Sequence, residues 1–189
     1  MAALQGLRLP ASRPRPYLAP LYPRARSIGR NIKALIEPAS GEAMVFRLHA
    51  DRVFYCSERV MKAAIAFPRD DLVSLGVCFG KFTRSGKFHL KVTCLDLLAA
   101  HARHKVWVKP SAEMSFLYGN DIAKSGVARM TEAIPQYAGV VVFSLTNMPL
   151  GFGRANYDTE KCKDVDGPAT VVLHQADIGE YLRMEDELA

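Results

Sequence analysis

The period of the apolar residues changes several times along this chain, and each change predicts an element. Ile28, Ile32, Leu35 and Ile36 recur at helical spacing, with Ser27 as an N-cap and Pro38 as a stop. The next stretch, "EAMVFRLHADRVFYCSE", alternates instead, which predicts strands over 44–48 and 53–56 around an Ala50-Asp51 turn. Helical spacing returns in an amphipathic segment over 58–66, ended by Pro68. "DDLVSLGVCFG" reads as a further helix-like piece, with Asp70 and Asp71 where a helix dipole favours acids.

Strict alternation then marks "KFTRSGKFHLKVT". Ser85-Gly86 makes a tight hairpin turn, after which Lys87, His89 and Lys91 interleave with Phe88, Leu90 and Val92, leaving one face apolar and the other basic. "CLDLLAAHARHK" is a short helix that ends near Arg103-His104. "KVWVKP" is an alternating strand stopped by proline, and "SAEMSFLYGN" a short helix with Ser111 as N-cap and Gly119 as its C-terminal glycine. A turn at Gly126 leads to three strands over 140–145, 150–155 and 170–174. Between the last two, "DTEKCKDVDG" predicts a short helix capped by Asp158 or Thr159.

Many short strands and few helices in the second half predict a small, closed or nearly closed barrel. "LTNMP" turns the chain, and "LGFGRA" is the returning strand. Its Gly151 and Gly153 allow a sharp bend or the close approach of another backbone, Phe152 fills the interior, and Arg154, Lys161 and Lys163 follow around the rim.

Half of the 189 residues are hydrophobic, enough for a core, yet no apolar run approaches the roughly 18 to 20 residues of a membrane helix. The chain reads as soluble. Cys56, Cys78, Cys94 and Cys162 stand far apart, without a CxxC or a histidine at metal spacing, so buried thiols of an intracellular protein are expected and a zinc site or disulfide framework is not.

The net charge of +6 is unevenly placed. Residues 1–30 hold six arginines and no acid; 31–104 hold eleven Lys/Arg against seven Asp/Glu; 105–189 hold eight against twelve. A polyanionic partner suits the first half, and a local patch would have to meet it in the second. Pro10, Pro14, Pro16, Pro20 and Pro23 forbid a continuous helix in "LPASRPRPYLAPLYPRARSIGR", so residues 1–26 are expected to be a disordered or divergent extension. Its arginine-rich, acid-free composition is that of a transit peptide, but the prolines interrupt the amphipathic helix such a peptide uses.

Catalytic constellations are scarce. Gly76, Gly80 and Lys81 lack the spacing and the Ser/Thr of a phosphate loop. His101 and His104 share a helical face without a third ligand and read as exposed linker histidines. His174 and Asp177 stand three apart with Ser144 on a neighbouring strand, but His174 ends its strand by pattern and no nucleophile turn accompanies it. Neither a metal nor a cofactor is expected.

Cations fit nucleic acid better. Lys81, Arg84, Lys87 and Lys91 on the hairpin, and Arg154, Lys161, Lys163, Lys124 and Arg129 in the second half, are the candidate RNA contacts, with Tyr118 or Tyr157 as possible stacking partners for an unpaired base.

Read together, "VWVKPSAEMSFLYGNDIAKSG", "QYAGVVVFSLTNMPLGFGRA" and "GPATVVLHQADIGEYLR" resemble a PUA domain, a small mixed β-barrel that binds RNA. With "FRLHADRVFYCSE" and "LVSLGVCFGKFT" ahead of them, the match extends to the Nip-seven family of large-subunit ribosome biogenesis factors, from about Arg26 to Leu182. The resemblance implies an α+β fold of two domains: an N-terminal α/β domain with an antiparallel sheet over 27–103 and a PUA mixed β-barrel over 104–182, followed by an acidic tail over 183–189. It implies a monomeric, non-catalytic nucleolar protein that binds single-stranded or uridine-rich pre-rRNA on pre-60S particles. Its partners there would be other assembly factors, including the rRNA cytosine methyltransferase Nop-two. The alternative is a PUA accessory subunit of an RNA-modifying enzyme.

Two departures from the family pattern stand out. The acidic first helix after an Arg-Pro-Leu start is replaced by "RPRPYLAPLYPRARSIG", and the dense cationic cluster that archaeal relatives carry after "GFG" is diluted by Asp158, Glu160, Asp164 and Asp166. Weaker autonomous RNA affinity follows from the second.

Overall fold

The computed structural model describes residues 41–185 apart from 50, 69, 70 and 73. The predicted helix at 27–38, the extension over 1–26, Ala50, Asp70 and the last four residues of the tail lie outside the described residues.

Alternating residues build the first sheet. β1 (Met44–His49) and β2 (Arg52–Ser57) pair antiparallel across a turn in which Asp51 takes φ 65°, then β3 (Val77–Phe82) and β4 (Phe88–Leu90) extend the sheet in the order β1-β2-β3-β4. The helix-like reading of 70–80 does not hold: Asp71 lies in a turn, and residues 77–82 are the strand β3. Its short apolar run could serve either period, and pairing with β2 and β4 decided it. α1 (Glu58–Ala64), capped by the Ser57 hydroxyl on the Val60 N–H, stops two residues earlier than predicted and buries no residue. After β4 the chain tightens into a 3-10 turn (Val92–Cys94) and the helix α2 (Leu95–His101).

The second half forms a six-stranded mixed sheet that curls into a nearly closed barrel. β5 (Lys105–Val108), α3 (Pro110–Leu117), β6 (Ile122–Ala123), β7 (Val127–Met130), β8 (Gly139–Phe143), β9 (Pro149–Ala155), α4 (Lys161–Asp164), β10 (Thr170–Asp177) and α5 (Glu180–Arg183) follow in chain order. The strand order is β6-β10-β9-β8-β5-β7, with β5 and β8 parallel and the other pairs antiparallel. Pro110, not Ser111, opens α3: at the first helical position its missing N–H has no intrahelical partner to lose, and Lys109 becomes the cap residue. Gly119, at φ 88°, closes the helix as expected. β10 continues past His174 to Asp177 through an irregularity in its pairing with β9, and Leu145 falls in the β8–β9 turn rather than in a strand.

Two cores share the β8–β9 ribbon. Inside the barrel, Val106, Val108, Phe116, Ile122, Val140, Val142, Leu150 and Val172 pack together. On the outer face, Val141, Phe143, Phe152 and Ala176 join Val53, Tyr55, Phe79, Phe88, Leu95 and Leu98 in a core that spans both halves of the chain. Phe152 therefore points away from the barrel interior, correcting the expectation above. Gly151 and Gly153 face inward, where a Cβ on Gly151 would stand 2.3 Å from the Ala176 carbonyl and one on Gly153 2.4 Å from that of Leu173. Close backbone approach is what those glycines permit.

His104 is a further correction. Lying between α2 and β5 it is buried, and its Nδ1 has no hydrogen-bond partner among the described residues. The shared core, which turns the junction inward, makes it a packed residue rather than an exposed one.

Candidate nucleic-acid interface

The β3–β4 turn is held by its own backbone and one hydroxyl. Gly86, at φ 73°, donates its N–H to the Thr83 carbonyl at 2.8 Å, the Thr83 N–H reaches the Lys87 carbonyl at 2.8 Å, and the Thr83 hydroxyl accepts from the Lys87 N–H at 3.1 Å. Beneath it Phe88 is buried, so Lys87 and His89 point outward, with Lys91 half-buried beyond. Lys81, Arg84 and Lys87 are exposed.

Register then adds what the alternation of one hairpin could not. Lys81 stands opposite His89 on β4 and opposite Arg52 on β2, and Arg52 stands opposite His49 on β1. Four basic positions thus form one row across the sheet. Arg52 and His49 were missed because the signal lies in strand pairing.

On the barrel, each cation is anchored differently. Arg154 leaves the outer face of β9 with its guanidinium 4.5 Å from the centre of the Tyr137 ring. Asp158 accepts from the Lys161 N–H at 2.7 Å and its other oxygen lies 3.9 Å from the Lys161 ammonium, but the cap position of α4 falls on Glu160 rather than on the expected Asp158 or Thr159. Lys124 directs its ammonium at the carbonyls of Lys163 and Val165, the latter at 3.0 Å, and so holds the end of α4.

Arg129 stacks on Trp107 at 4.0 Å and donates to Asn147 Oδ1, which also accepts from the Trp107 indole N–H at 2.8 Å. Trp107 in turn stacks on Phe143, and Lys105 lies over the same Phe143 ring at 5.3 Å. Lys124 and Lys163 are therefore neighbours, whereas Arg129 on β7 and Arg154 on β9 are separated by β5 and β8, roughly 14 Å at the ordinary strand spacing. Of the two tyrosines proposed for stacking, Tyr118 is exposed. Tyr157 packs against the barrel core and is withdrawn from that role.

The possible catalytic groups are otherwise engaged. His174 Nε2 lies 2.6 Å from Asp177 Oδ2; Asp177, fully buried, also accepts from Arg183 Nη2 at 2.8 Å and from the Gly179 N–H at 2.7 Å. Ser144 Oγ bonds Thr146 Oγ1 and accepts the Met148 N–H, shaping the β8–β9 turn. The trio thus forms a C-terminal clasp and a turn, not a nucleophile with its base. Burial, with Asp177 nearby as the lesser cause, raises the pKa of Glu180 above its usual range. Cys56, Cys94 and Cys162 are buried free thiols, Cys78 is a half-buried one, and no metal-ligating group of three occurs among the described residues.

Comparison with known proteins bears on what these surfaces serve. Residues 23–92 match the NIP7/UPF0113 pre-PUA domain and residues 104–186 the UPF0113 PUA domain. The chain is 57% identical over 164 residues to the 60S ribosome subunit biogenesis protein NIP7 homolog of Xenopus tropicalis, a match covering 87% of this chain and 91% of that one. It is 56% identical, with the same coverage, to the NIP7 homolog of Pongo abelii. Among solved structures, a conserved PUA domain protein from Thermoplasma acidophilum is similar in fold, with a TM-score of 0.52 at 17% identity over 85% of this chain and 93% of its own. A PUA domain protein from Aeropyrum pernix K1 is similar at a TM-score of 0.50 and 14% identity, over 82% of this chain and 85% of its own. The chain belongs to the NIP7 family.

Proposed function

We infer that this NIP7-family chain is a 60S ribosome subunit biogenesis factor that works by binding RNA and other assembly factors rather than by catalysis. The observation that carries the reading is a PUA barrel whose outer face and rim present cations over aromatic rings, in a chain more than half identical to proteins named for 60S biogenesis. A guanidinium stacked on a ring keeps its charge and its donors while losing little freedom when it meets a phosphate. With Ser144, His174 and Asp177 engaged elsewhere, no acid, base and nucleophile converge among the described residues.

In finer detail, residues 27–103 and 104–182 act as an N-terminal and a PUA domain joined over a common apolar face. The RNA is single-stranded pre-rRNA, and the barrel rim, Arg154 with Lys161 and Lys163, is its main contact. The basic hairpin, through Lys81, Arg84, Lys87 and Lys91, is an auxiliary one. Work on pre-60S particles sets the protein in the nucleolus, beside factors such as the methyltransferase Nop-two.

Depletion tests the assembly role: free large subunits should fall and their rRNA precursors accumulate while small subunits persist. Unchanged large-subunit levels after complete depletion would sink it. Crosslinking in cells with sequencing of the bound fragments identifies the RNA.

A further inference from the structure

Tyr137 is held in a conformation that a tyrosine rarely adopts. Its φ of 63° lies in the left-handed region, where a Cβ is crowded and where glycine, asparagine or aspartate is the usual occupant. Among the described residues, two of the other three non-glycine residues at positive φ are Asp51 and Asn147, ordinary turn formers. The loop that carries Tyr137 imposes its backbone. The Tyr137 N–H donates to the Ala155 carbonyl at 2.8 Å, the Ala155 N–H returns to the Ala138 carbonyl at 2.8 Å, and Gln136 Nε2 reaches the Asn156 carbonyl at 3.0 Å. Upstream, buried Ile134 anchors the loop, its N–H on the Thr159 hydroxyl at 2.9 Å.

Such strain is not compensated by burial of the side chain. Tyr137 is 53% exposed, and the Arg154 guanidinium lies over its ring at 4.5 Å. An aromatic ring fixed at the surface by a strained, doubly tethered backbone, next to a cation, has the components of a base-stacking platform: a rigid π-face and a charge for the adjoining phosphate.

We propose that Tyr137 stacks an unpaired base of single-stranded RNA while Arg154 holds the neighbouring phosphate. The site rests on the RNA-binding reading above and names the residue that grips a nucleotide. It is sequence-tolerant, because every base offers a π-face, and it selects unpaired over duplex RNA.

Glycine at this position separates strain from function, since it relaxes the left-handed backbone and removes the ring. The probe is a short oligouridine carrying one 2-aminopurine, titrated with the full chain at low salt and read by anisotropy and by quenching of the base. Tyr137→Gly should raise Tm by a few degrees yet weaken binding about tenfold or more and abolish the quenching. Tyr137→Phe and Tyr137→Trp should bind within about twofold of the wild type.

A Gly variant that binds and quenches like the wild type overturns the stacking role while leaving RNA binding intact. One whose Tm falls makes Tyr137 a structural residue and overturns it also. Full RNA affinity combined with a large-subunit defect in cells would assign the ring to a protein contact instead. A stable wild-type chain that binds no oligonucleotide at any salt removes the RNA-binding reading and this inference with it.

Discussion

The two halves of the molecule carry their positive charge in different ways. On the first sheet, Lys81 and Lys87 are exposed strand and turn positions, set out by alternation over buried Phe88. On the barrel, Arg129, Lys105 and Arg154 each lie over an aromatic ring, and Lys124 is fixed to two backbone carbonyls. A flexible lysine attracts a polyanion at the cost of its own side-chain freedom, whereas a guanidinium already stacked has less to lose. The first arrangement supplies a general, salt-sensitive attraction; the second supplies geometry.

That contrast depends on the barrel being the stiffer scaffold, and the largest effects test this. Asp177→Ala would leave His174, Arg183 and the Gly179 N–H around an empty buried position, with an expected loss of about 3–5 kcal/mol in chemical denaturation. Glycines repeat the comparison more finely. Gly153→Ala pushes a Cβ against the Leu173 carbonyl and should remove about 3 kcal/mol, because backbone cannot yield as a side-chain end can. Gly86→Ala meets nothing within 4 Å and suffers only from its φ of 73°, about 1–2 kcal/mol. Equal losses at the two glycines would erase the distinction between a packed barrel and an open hairpin.

Next come the two charge reversals. Arg154, Lys161 and Lys163 changed together to glutamate should leave the cooperative melt in place and flatten the log-log salt dependence of single-stranded RNA binding by roughly 0.7 per lost contact. The matching reversal at Lys81, Lys87 and Lys91 should lower affinity less and without preference for unpaired RNA. If only the hairpin reversal matters at every salt concentration, the rim is a solvated surface and the assignment of the RNA contact moves to the first sheet.

Where alternation met one buried and one solvated face, the sequence was readable: the hairpin, its Ser85-Gly86 turn and the outward Lys87 and His89 all follow from it. β9 defeated the same reasoning because residues 150–153 are buried on both faces, so period two separated Phe152 from its glycine neighbours without telling which side was the barrel interior. β3 was read as helix-like since a short apolar run next to glycines has no intrinsic period strong enough to resist its partners. His49 and Arg52 join Lys81 only through inter-strand register. Tyr137 carried no signal at all, for its backbone is set by β9 and the glycine of "PQYAG" stands two residues later, in β8.

The smallest expected effect lies at His104, where the two halves meet. Burial lowers its pKa, and the neighbouring positive charge of Arg103 lowers it further. In the unfolded chain the imidazole titrates near its ordinary value of about 6.5. Between the folded and unfolded values the unfolded state therefore binds more proton, so the contribution is fully present above about pH 6.5 and is lost as pH falls toward the folded pKa. Thermal melts of the wild type and His104→Leu across pH 7.5 to 5 measure this directly, since whatever the two proteins share cancels in the difference. The wild type should lose more stability on acidification than the variant. At neutral pH the variant should match or slightly exceed it, because leucine leaves no unpartnered nitrogen in the junction. Parallel pH curves would mean that the folded protein accommodates the imidazolium. The junction would then be hydrated rather than sealed by the shared core, and the barrel would owe less of its rigidity to the first sheet than the packing of Phe143 and Phe152 against Leu98 implies.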